Sequence, residues 1–557
     1  MLRVKKPTSE KYAYALDGDD ARKVKAVGIL GFVSTVFILF GYVQFVHISV
    51  YIALSFVPVI VIILLYHFIQ YGLLVFYPGF DAERHRQRVD DFWQQHQDKI
   101  VRRVAVFIPA AGESVAVVRE TVRDAARIDY PNFKVFILDD SKDGMYKPLA
   151  KECNVYYVRR PNIGEFKKAG NMNYALGLIK SFQNILVLDA DFRPRREILK
   201  EMVPYVDDET AIIQSPQHFA LDKIAHSRSK IEYGAAYIQQ DFYRVTQVAR
   251  NRFGAAICVG TSALYSIEAL KRVGGYEGVG RPKGWAHSED VHTGLKMLNT
   301  FNSSDKQYRI RYLPVQLTKG TCPDDHYSFY KQQNRWATGS MQLLFSKMTV
   351  RSARLSIVQR IIYGSNSLYY FYTMSLLLSP LYLLALIISN NPSSWAFTLY
   401  FIPSLVFKHL IEPYVMRKQR APIATSLVVI SNAYTFLQAL FLLIIKKPLG
   451  WEATGSKGGK KSRHFTNFKL IVSMSFILIY IFTLGALIMN ERFQYGASIF
   501  IVLLFLASFF THLIFLFYVL VIDPKRFPLL DRKFYAALVL IAVLGLVVSK
   551  AYIYHGR

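Results

Sequence analysis

Five short clusters in this chain group side chains that could do chemistry together. Asp189-Ala190-Asp191 sets two carboxylates two residues apart after the apolar run Ile185–Leu188. Such a triplet is ordinarily a turn or a helix N-cap, which Asp favours. Its chemical reading is a site for Mg²⁺ or Mn²⁺, hard cations that take carboxylates together with substrate phosphates. Asp139-Asp140 ends a second apolar run, Val135–Leu138. It has the same ordinary reading, beside one in which an acid accepts hydrogen bonds from a nucleoside base or ribose. Lys168-Ala169-Gly170-Asn171 lies between the two pairs. A lysine and a glycine at the start of a helix suit a diphosphate, by charge and by free N–H groups.

Two further clusters lie downstream. Ser288-Glu289-Asp290 follows Gly284-Trp285 and precedes a helical pattern over Val291–Leu298. A solvated N-cap is the plain account, and a general base close to a metal is the chemical one. Gln332-Gln333-Asn334-Arg335-Trp336-Ala337-Thr338-Gly339 is the last. Arg beside Trp is ordinarily packing, but Arg335 could clamp a diphosphate. Trp336 could stack on the C–H face of a sugar ring.

The elements that must position these residues are strands and helices in alternation. Val104–Ile108, Val135–Leu138, Tyr156–Val158 and Ile185–Leu188 are short apolar runs, the pattern of strands buried on both faces. Glu113–Ile128 and Ala169–Ser181 carry helical periodicity between them. The alternation predicts a doubly wound parallel sheet. Ligands bind such sheets off the carboxyl ends of the strands, so the two acidic pairs converge on one edge.

Around this segment the composition is unlike that of a soluble enzyme. Of 557 residues, 52% are hydrophobic and 15% aromatic, and the 19% that are charged fall below the roughly 25% usual in soluble domains. A disordered chain is excluded. So is a disulfide scaffold, since Cys153, Cys258 and Cys322 are the only cysteines. The net charge of +28 suits basic cytoplasmic loops or an anionic substrate, with nucleic acid a weaker option.

The charge-free stretches locate the membrane. None of the residues between Lys25 and Asp81 is charged, which leaves room for two spans of about 20 residues. Val27–Phe45 and Val50–Leu73 read as a helical hairpin. Ile361–Phe407 is uncharged and broken by Ser389–Ser394 into two more spans. Leu470–Met489, Ala497–Val521 and about Phe534–Val548 bring the count to about seven. Pro422–Ile445 is also apolar, but basic residues flank it on both sides, from Lys408 to Arg420 and from Lys446 to Lys469. The positive-inside rule keeps it on the cytoplasmic surface. Its Thr425, Ser431, Asn432, Thr435 and Gln438 recur at helical spacing, as in an interfacial helix. Tyr369, Tyr370, Phe371 and Tyr372 are candidate sugar platforms, though an aromatic belt at the interface fits better.

In order and spacing, the clusters D-D-S, K-A-G-N, D-A-D, S-E-D and Q-x-x-R-W resemble those of the processive family 2 glycosyltransferases. That group holds the cellulose, chitin and hyaluronan synthases. Phe107-Ile108-Pro109, Gln214-Ser215-Pro216-Gln217 and Cys258-Val259-Gly260-Thr261-Ser262 add to the likeness. It runs from about Val104 to Lys461 and is nearest to cellulose-synthase-like enzymes.

The resemblance implies an α/β GT-A (Rossmann-like) cytoplasmic domain at 77–350, inserted between transmembrane helices. A cytoplasmic segment (1–26) and the hairpin (27–76) precede it. An interfacial helix and a pair of spans (351–421), a further interfacial helix with a gating loop (422–469), and C-terminal spans (470–557) follow. The implied activity is inverting polymerisation of a UDP-sugar, first of all UDP-glucose into a β-glucan, with passage of the polymer across the plasma or inner membrane. Asp139 or Asp140 would contact the uridine, and Lys168, Asp189 and Arg335 the nucleotide diphosphate. Asp189 and Asp191 would hold the metal, Mg²⁺ or Mn²⁺. Asp290 would be the base that deprotonates the acceptor hydroxyl. Trp336, Gln332, Cys258, Gly260 and Glu289 would form the acceptor pocket, and Thr454 and Lys457 of Trp451–Lys457 would close over the nucleotide. The departures are Ser288 for the usual Thr, Ser141-Lys142-Asp143 where a Gly is usual, and a gating loop that keeps only its Thr and Lys. With no soluble domain after the last span, control by cyclic-di-GMP in cis is not expected.

The other readings are a non-processive transferase acting on a lipid carrier, a chitin-, hyaluronan- or mannan-type synthase, and a transporter. A transporter predicts charged residues inside the spans, which here are nearly free of them. Partners are thus a UDP-sugar, a growing polysaccharide and membrane lipid, with no nucleic acid; accessory export proteins, the sugar and its linkage stay open.

Overall fold

The computed structural model describes residues 10–378 apart from 49, 97–100, 220–229, 278–287, 324–325 and 345, then 423–446 and scattered positions elsewhere. Two compact units form. One comprises Met1–Leu39, Pro58–Met374 and Phe401–Lys457; the other comprises Phe40–Val57, Ser375–Tyr400 and Gly458–Arg557.

A short turn of 3₁₀ helix (Glu10–Tyr12) leads into α1 (Gly18–Ile48) and α2 (Val50–Val75). Their segments Gly18–Gln44 and Ala53–Val75 are long and apolar enough to cross a membrane, as the uncharged window predicts. In the first unit the Phe80 N–H donates to Leu16 O at 2.9 Å, so the two ends of the hairpin lie side by side. In the second unit the Tyr42 hydroxyl donates to Ala53 O at 2.7 Å. The expected spans at Leu470–Met489, Ala497–Val521 and Phe534–Val548, and most of 379–407, lie outside the described residues.

After α3 (Ala82–Gln95) the expected alternation appears: β1 (Val104–Ala110), α4 (Val115–Ala126), β2 (Phe133–Asp139), α5 (Lys147–Glu152), β3 (Tyr156–Val158), α6 (Lys167–Leu178) and β4 (Asn184–Val187). The chain continues through β5 (Arg193–Pro194), α7 (Ile198–Met202), β6 (Thr210–Gln214), α8 (Lys230–Asp241), a π-helical turn (Phe242–Thr246) and α9 (Gln247–Arg252). Then come β7 (Ala263–Ser266), α10 (Ile267–Arg272), α11 (Glu289–Leu298), β8 (Arg309–Tyr312) and β9 (Thr318–Lys319). Three helices close the described part: α12 (His326–Leu344), α13 (Ile357–Ser375) and α14 (Ile423–Ile444).

Seven strands form one sheet in the order β3-β2-β1-β4-β7-β6-β8. β1 explains why its sequence is apolar throughout. Ala105 and Phe107 enter one core, while Val104, Val106 and Ile108 enter the other, as the period of two dictates. The sheet departs from the wholly parallel one that the alternation predicts, because β7 runs antiparallel to both β4 and β6. The physical reason is local. The chain reaches β7 along the carboxyl edge of the sheet, with no crossover to carry it back to the other end. Ala263 therefore pairs with Val187 and Gln214, the last residues of β4 and β6.

The polar residues of α14 are also placed differently from a helix with a wet face. Thr425, Ser431, Asn432, Thr435 and Gln438 are all buried, while Phe441 and Ile444 are exposed. The helix packs against α8 and α12, and the Tyr330 hydroxyl of α12 donates to Gln438 Oε1 at 2.5 Å. The polar stripe is thus the protein-facing side, where Gln438 meets Tyr330 and Thr435 Oγ1 donates to Ser431 O of its own helix at 2.9 Å. Tyr369, Tyr370 and Phe371 pack against Ala337, Met341 and Phe436, and Tyr372 stacks on Tyr66 with centroids 4.6 Å apart. All four make helix–helix contacts.

Candidate active site

The carboxyl edge brings the predicted residues together in one place. Asp189 and Asp191 follow β4, and the Asp189 N–H donates to Thr261 Oγ1 at 2.8 Å. Lys168, in the first turn of α6, reaches across to them. Its Nζ donates to Asp189 Oδ1 at 2.5 Å and to Gly260 O at 2.8 Å, and lies 4.0 Å from Glu289 Oε1. Burial opposes its charge, but Asp189 and Glu289 outweigh that and raise its pKa well above the ordinary lysine value.

Asp290 opens α11, and the Val291 N–H donates to its Oδ1 at 2.8 Å. Burial and then the charge of Glu289 push Asp290 up to about 7, against the opposing pull of the Val291 N–H, Lys168 and Arg335. Asp191 is raised to about 7 as well, by burial first and by Asp189 next. Such a value suits a group that must take a proton near neutrality.

Two glycines let these elements approach. Gly260 has φ +78°, and a Cβ there would lie 2.9 Å from Asp290 Cβ. At Gly339 an added Cβ would run into the Ser288 side chain. Gln332, Arg335, Trp336 and Gly339 are spaced i, i+3, i+4 and i+7, so they share one face of α12. That face therefore meets the start of α11. Cys258 lies buried beneath the loop, its Sγ 2.9 Å from the Tyr265 hydroxyl. Burial pushes its thiol up to about 12, which keeps the side chain a neutral thiol near pH 7.

The acids after β2 are engaged by the protein itself. Asp139 is fully buried and accepts from the Ser141 N–H at 2.8 Å and the Tyr157 hydroxyl at 2.9 Å. Asp140 forms a bidentate pair with Arg160, at 2.8 and 2.7 Å, and accepts from the Gly164 N–H at 3.0 Å. Arg160 also donates to the carbonyls of Glu165 and Lys167. It thus fixes the turn that enters α6 one residue before Lys168. The sequence reading missed Arg160, because nothing in Arg159-Arg160 distinguishes the buried arginine from its half-exposed neighbour. It took Gln214 only as part of a matching motif and gave it no role, whereas its side chain accepts from the Val259 N–H at 2.9 Å. Thr454 and Lys457 lie outside the described residues.

Comparison with known proteins agrees with this geometry. Residues 102–339 match the family described as glycosyltransferase like family 2. The cellulose synthase 1 catalytic subunit (UDP-forming) of Komagataeibacter xylinus is 29% identical over 277 residues, which cover 49% of this chain and 35% of that protein. The cellulose synthase catalytic subunit (UDP-forming) of Pseudomonas fluorescens (strain SBW25) is 26% identical over 411 residues, 72% of this chain and 53% of that one. The chain thus spans about a third to a half of the length of these relatives. Among solved structures, S. aureus TarS 1-349 in complex with UDP-GlcNAc aligns with TM-score 0.33 at 13% identity, over 61% of this chain and 92% of that one. The segment 102–339 is a family 2 glycosyltransferase domain. The chain that carries it is cellulose synthase-like.

Two substitutions check the geometry. Arg160→Met strands the buried Asp140 carboxylate and should destabilise the protein by about 3–5 kcal/mol; chemical denaturation in detergent measures it. Gly260→Ala forces a left-handed residue and a contact with Asp290. It should cost about 1–2 kcal/mol from backbone strain, read as a lower melting temperature.

Proposed function

We propose that this protein is a membrane-embedded, inverting, processive glycosyltransferase that polymerises a UDP-sugar, UDP-glucose first, into a β-glucan and passes it across the membrane. The observation that carries the reading is the convergence of Asp290, Gly260, Lys168 and Asp189 on one sheet edge. It sets a base of raised pKa beside a cation and a pair of metal-type carboxylates.

Asp189 and Asp191 offer hard oxygen donors two residues apart, and burial and then the charge of Asp189 raise Asp191, so they fit Mg²⁺ or Mn²⁺. Among the described residues no group of three His, Cys, Asp or Glu is gathered for a metal, so diphosphate oxygens would complete the coordination. When bound, the cation would offset charge on the leaving diphosphate.

The chain's own residues supply the rest. Asp290 takes the proton of the acceptor hydroxyl as its oxygen bonds to the anomeric carbon. The bond from that carbon to the UDP oxygen breaks, and its electron pair leaves with the diphosphate. Attack opposite the leaving group inverts the anomeric centre. Lys168 and Arg335 stabilise the developing negative charge. Trp336 floors the acceptor site, with Gln332, Glu289 and the Cys258–Thr261 loop around it. Asp139 and Asp140 shape the nucleoside side while keeping their internal partners.

The catalytic domain stands on the cytoplasmic side of a multi-pass protein in the plasma or inner membrane. Docking of the N-terminal segment supports that arrangement. The Gln316 N–H donates to Lys11 O at 2.8 Å, and the Tyr14 hydroxyl meets His218 Nδ1 at 2.9 Å.

Membranes carrying the protein should release UDP from UDP-glucose in a panel of radiolabelled nucleotide sugars. The product should yield to a β-glucan-specific hydrolase. Turnover of another sugar, or label found only in lipid, would redirect the reading to its alternatives. Asp290→Asn should abolish transfer and leave UDP binding within about twofold; polymer made by that variant would remove Asp290 as the base. Because Asp290 acts deprotonated, kcat/KM should rise about tenfold per pH unit below 7 and level off above it. A profile flat from pH 5.5 to 8.5 would contradict that role. Asp191→Ala should weaken UDP affinity in Mn²⁺ but not in chelator, by calorimetry.

A further inference from the structure

The segment Gly254–Ser262, which brings the acceptor loop to Asp290, is neither helix nor strand, and side chains satisfy its buried backbone. Gln247 Nε2 donates to Ile257 O at 2.8 Å, and the Ile257 N–H donates to Gln247 Oε1 at 3.0 Å. Gln217 Nε2 donates to Val259 O at 3.3 Å. The upstream end is gripped from α13. Gln359 Nε2 donates to Gly254 O at 2.9 Å, and the Tyr363 hydroxyl donates to Ala256 O at 2.7 Å. Asn366 Oδ1 accepts from Arg250 Nη1 at 3.1 Å, while Arg250 Nε donates to Ala255 O at 3.0 Å. Positions 359, 363 and 366 lie on one face of the helix.

Arg250 is the costly member of this set. It is fully buried, and among the described residues its Nη2 has no hydrogen-bond partner. The Tyr363 ring lies 5.3 Å from the guanidinium, and no carboxylate among the described residues acts on it. Burying a cation without a carboxylate is unfavourable, and an apolar side chain of similar volume would fill the space at lower cost. What a guanidinium adds is a rigid fork of donors, which here ties Ala255 to Asn366. The same helix donates from Ser367 Oγ to Ser340 O of α12. It is therefore a common reference for the acceptor loop and for the helix of Arg335 and Trp336.

We propose that Arg250 and the Gln359–Tyr363–Asn366 face of α13 form the positioning element of the acceptor loop, fixing Cys258–Thr261, and with it the acceptor hydroxyl, against Asp290. The proposal rests on the transferase reading above. It predicts that loosening the grip impairs acceptor use and spares the donor.

The test takes the full chain in detergent with UDP-glucose as donor, Mn²⁺, and cellotetraose as the acceptor probe. Tyr363→Phe and Asn366→Leu should each lower kcat/KM for the acceptor about ten- to a hundredfold. Affinity for UDP should stay within about twofold, and amides of 254–262 should exchange faster. Asn366→Asp keeps the accepting oxygen and should retain near-wild-type kinetics. Unchanged exchange and unchanged acceptor KM in the first two variants would overturn the proposal, as would equal loss of UDP affinity. Should Asn366→Leu fail to fold, Tyr363→Phe and Asn366→Asp carry the same contrast. A wild type that releases UDP from no nucleotide sugar would overturn the transferase reading instead, and the exchange data would still decide the grip on the loop.

Discussion

Lys168 draws four elements onto a single positive charge: its own helix α6, the turn after β4, the loop at Gly260 and the start of α11. The same space holds Asp189, Asp191, Glu289 and Asp290, four acids that one ammonium cannot neutralise. Burial first, and then the like charge of Asp189 and Glu289, raises Asp191 and Asp290. A site short of positive charge favours a ligand that arrives with a cation, and it disfavours a bare diphosphate.

Reversal of β7 makes this meeting possible. In a wholly parallel sheet the segment before β7 would lie at the amino edge, far from Asp189. Running antiparallel, β7 starts beside the last residues of β4 and β6, so residues 258–262 reach the carboxyl edge. That arrangement buries an irregular backbone, and glutamine and arginine side chains supply the hydrogen bonds that a strand partner would have given. A loop held this way has its position set by many separate contacts.

Much of this was legible in the sequence. The apolar runs Val104–Ile108, Val135–Leu138 and Ile185–Leu188 are buried throughout, so their residue types alone announce strands. The acids that end the second and third of these runs mark the carboxyl edge of the sheet. β7 was not legible, because Ala263–Ser266 is too short and mixed to announce either its existence or its direction. Arg160 was hidden for another reason: a buried arginine and an exposed one carry the same letter, and its pairing with Asp140 in the folded chain shows which was meant. The polar stripe of α14 shows the limit of periodicity itself. Spacing finds the face but not what the face meets, and here it meets protein.

The basic balance of the chain and the hairpin bear on topology independently. The positive-inside argument assigns sides from charge alone. The structure adds a mechanical constraint, since Leu16, just before α1, is bonded to Phe80, just after α2, and the Tyr77 hydroxyl donates to Arg244 O within the catalytic domain at 3.0 Å. Ends joined in this way cannot stand on opposite faces of a bilayer. The two helices therefore cross an even number of times or not at all, and the N-terminal segment shares a compartment with Asp290. That conclusion holds whatever the later spans do, because none of its contacts involves them.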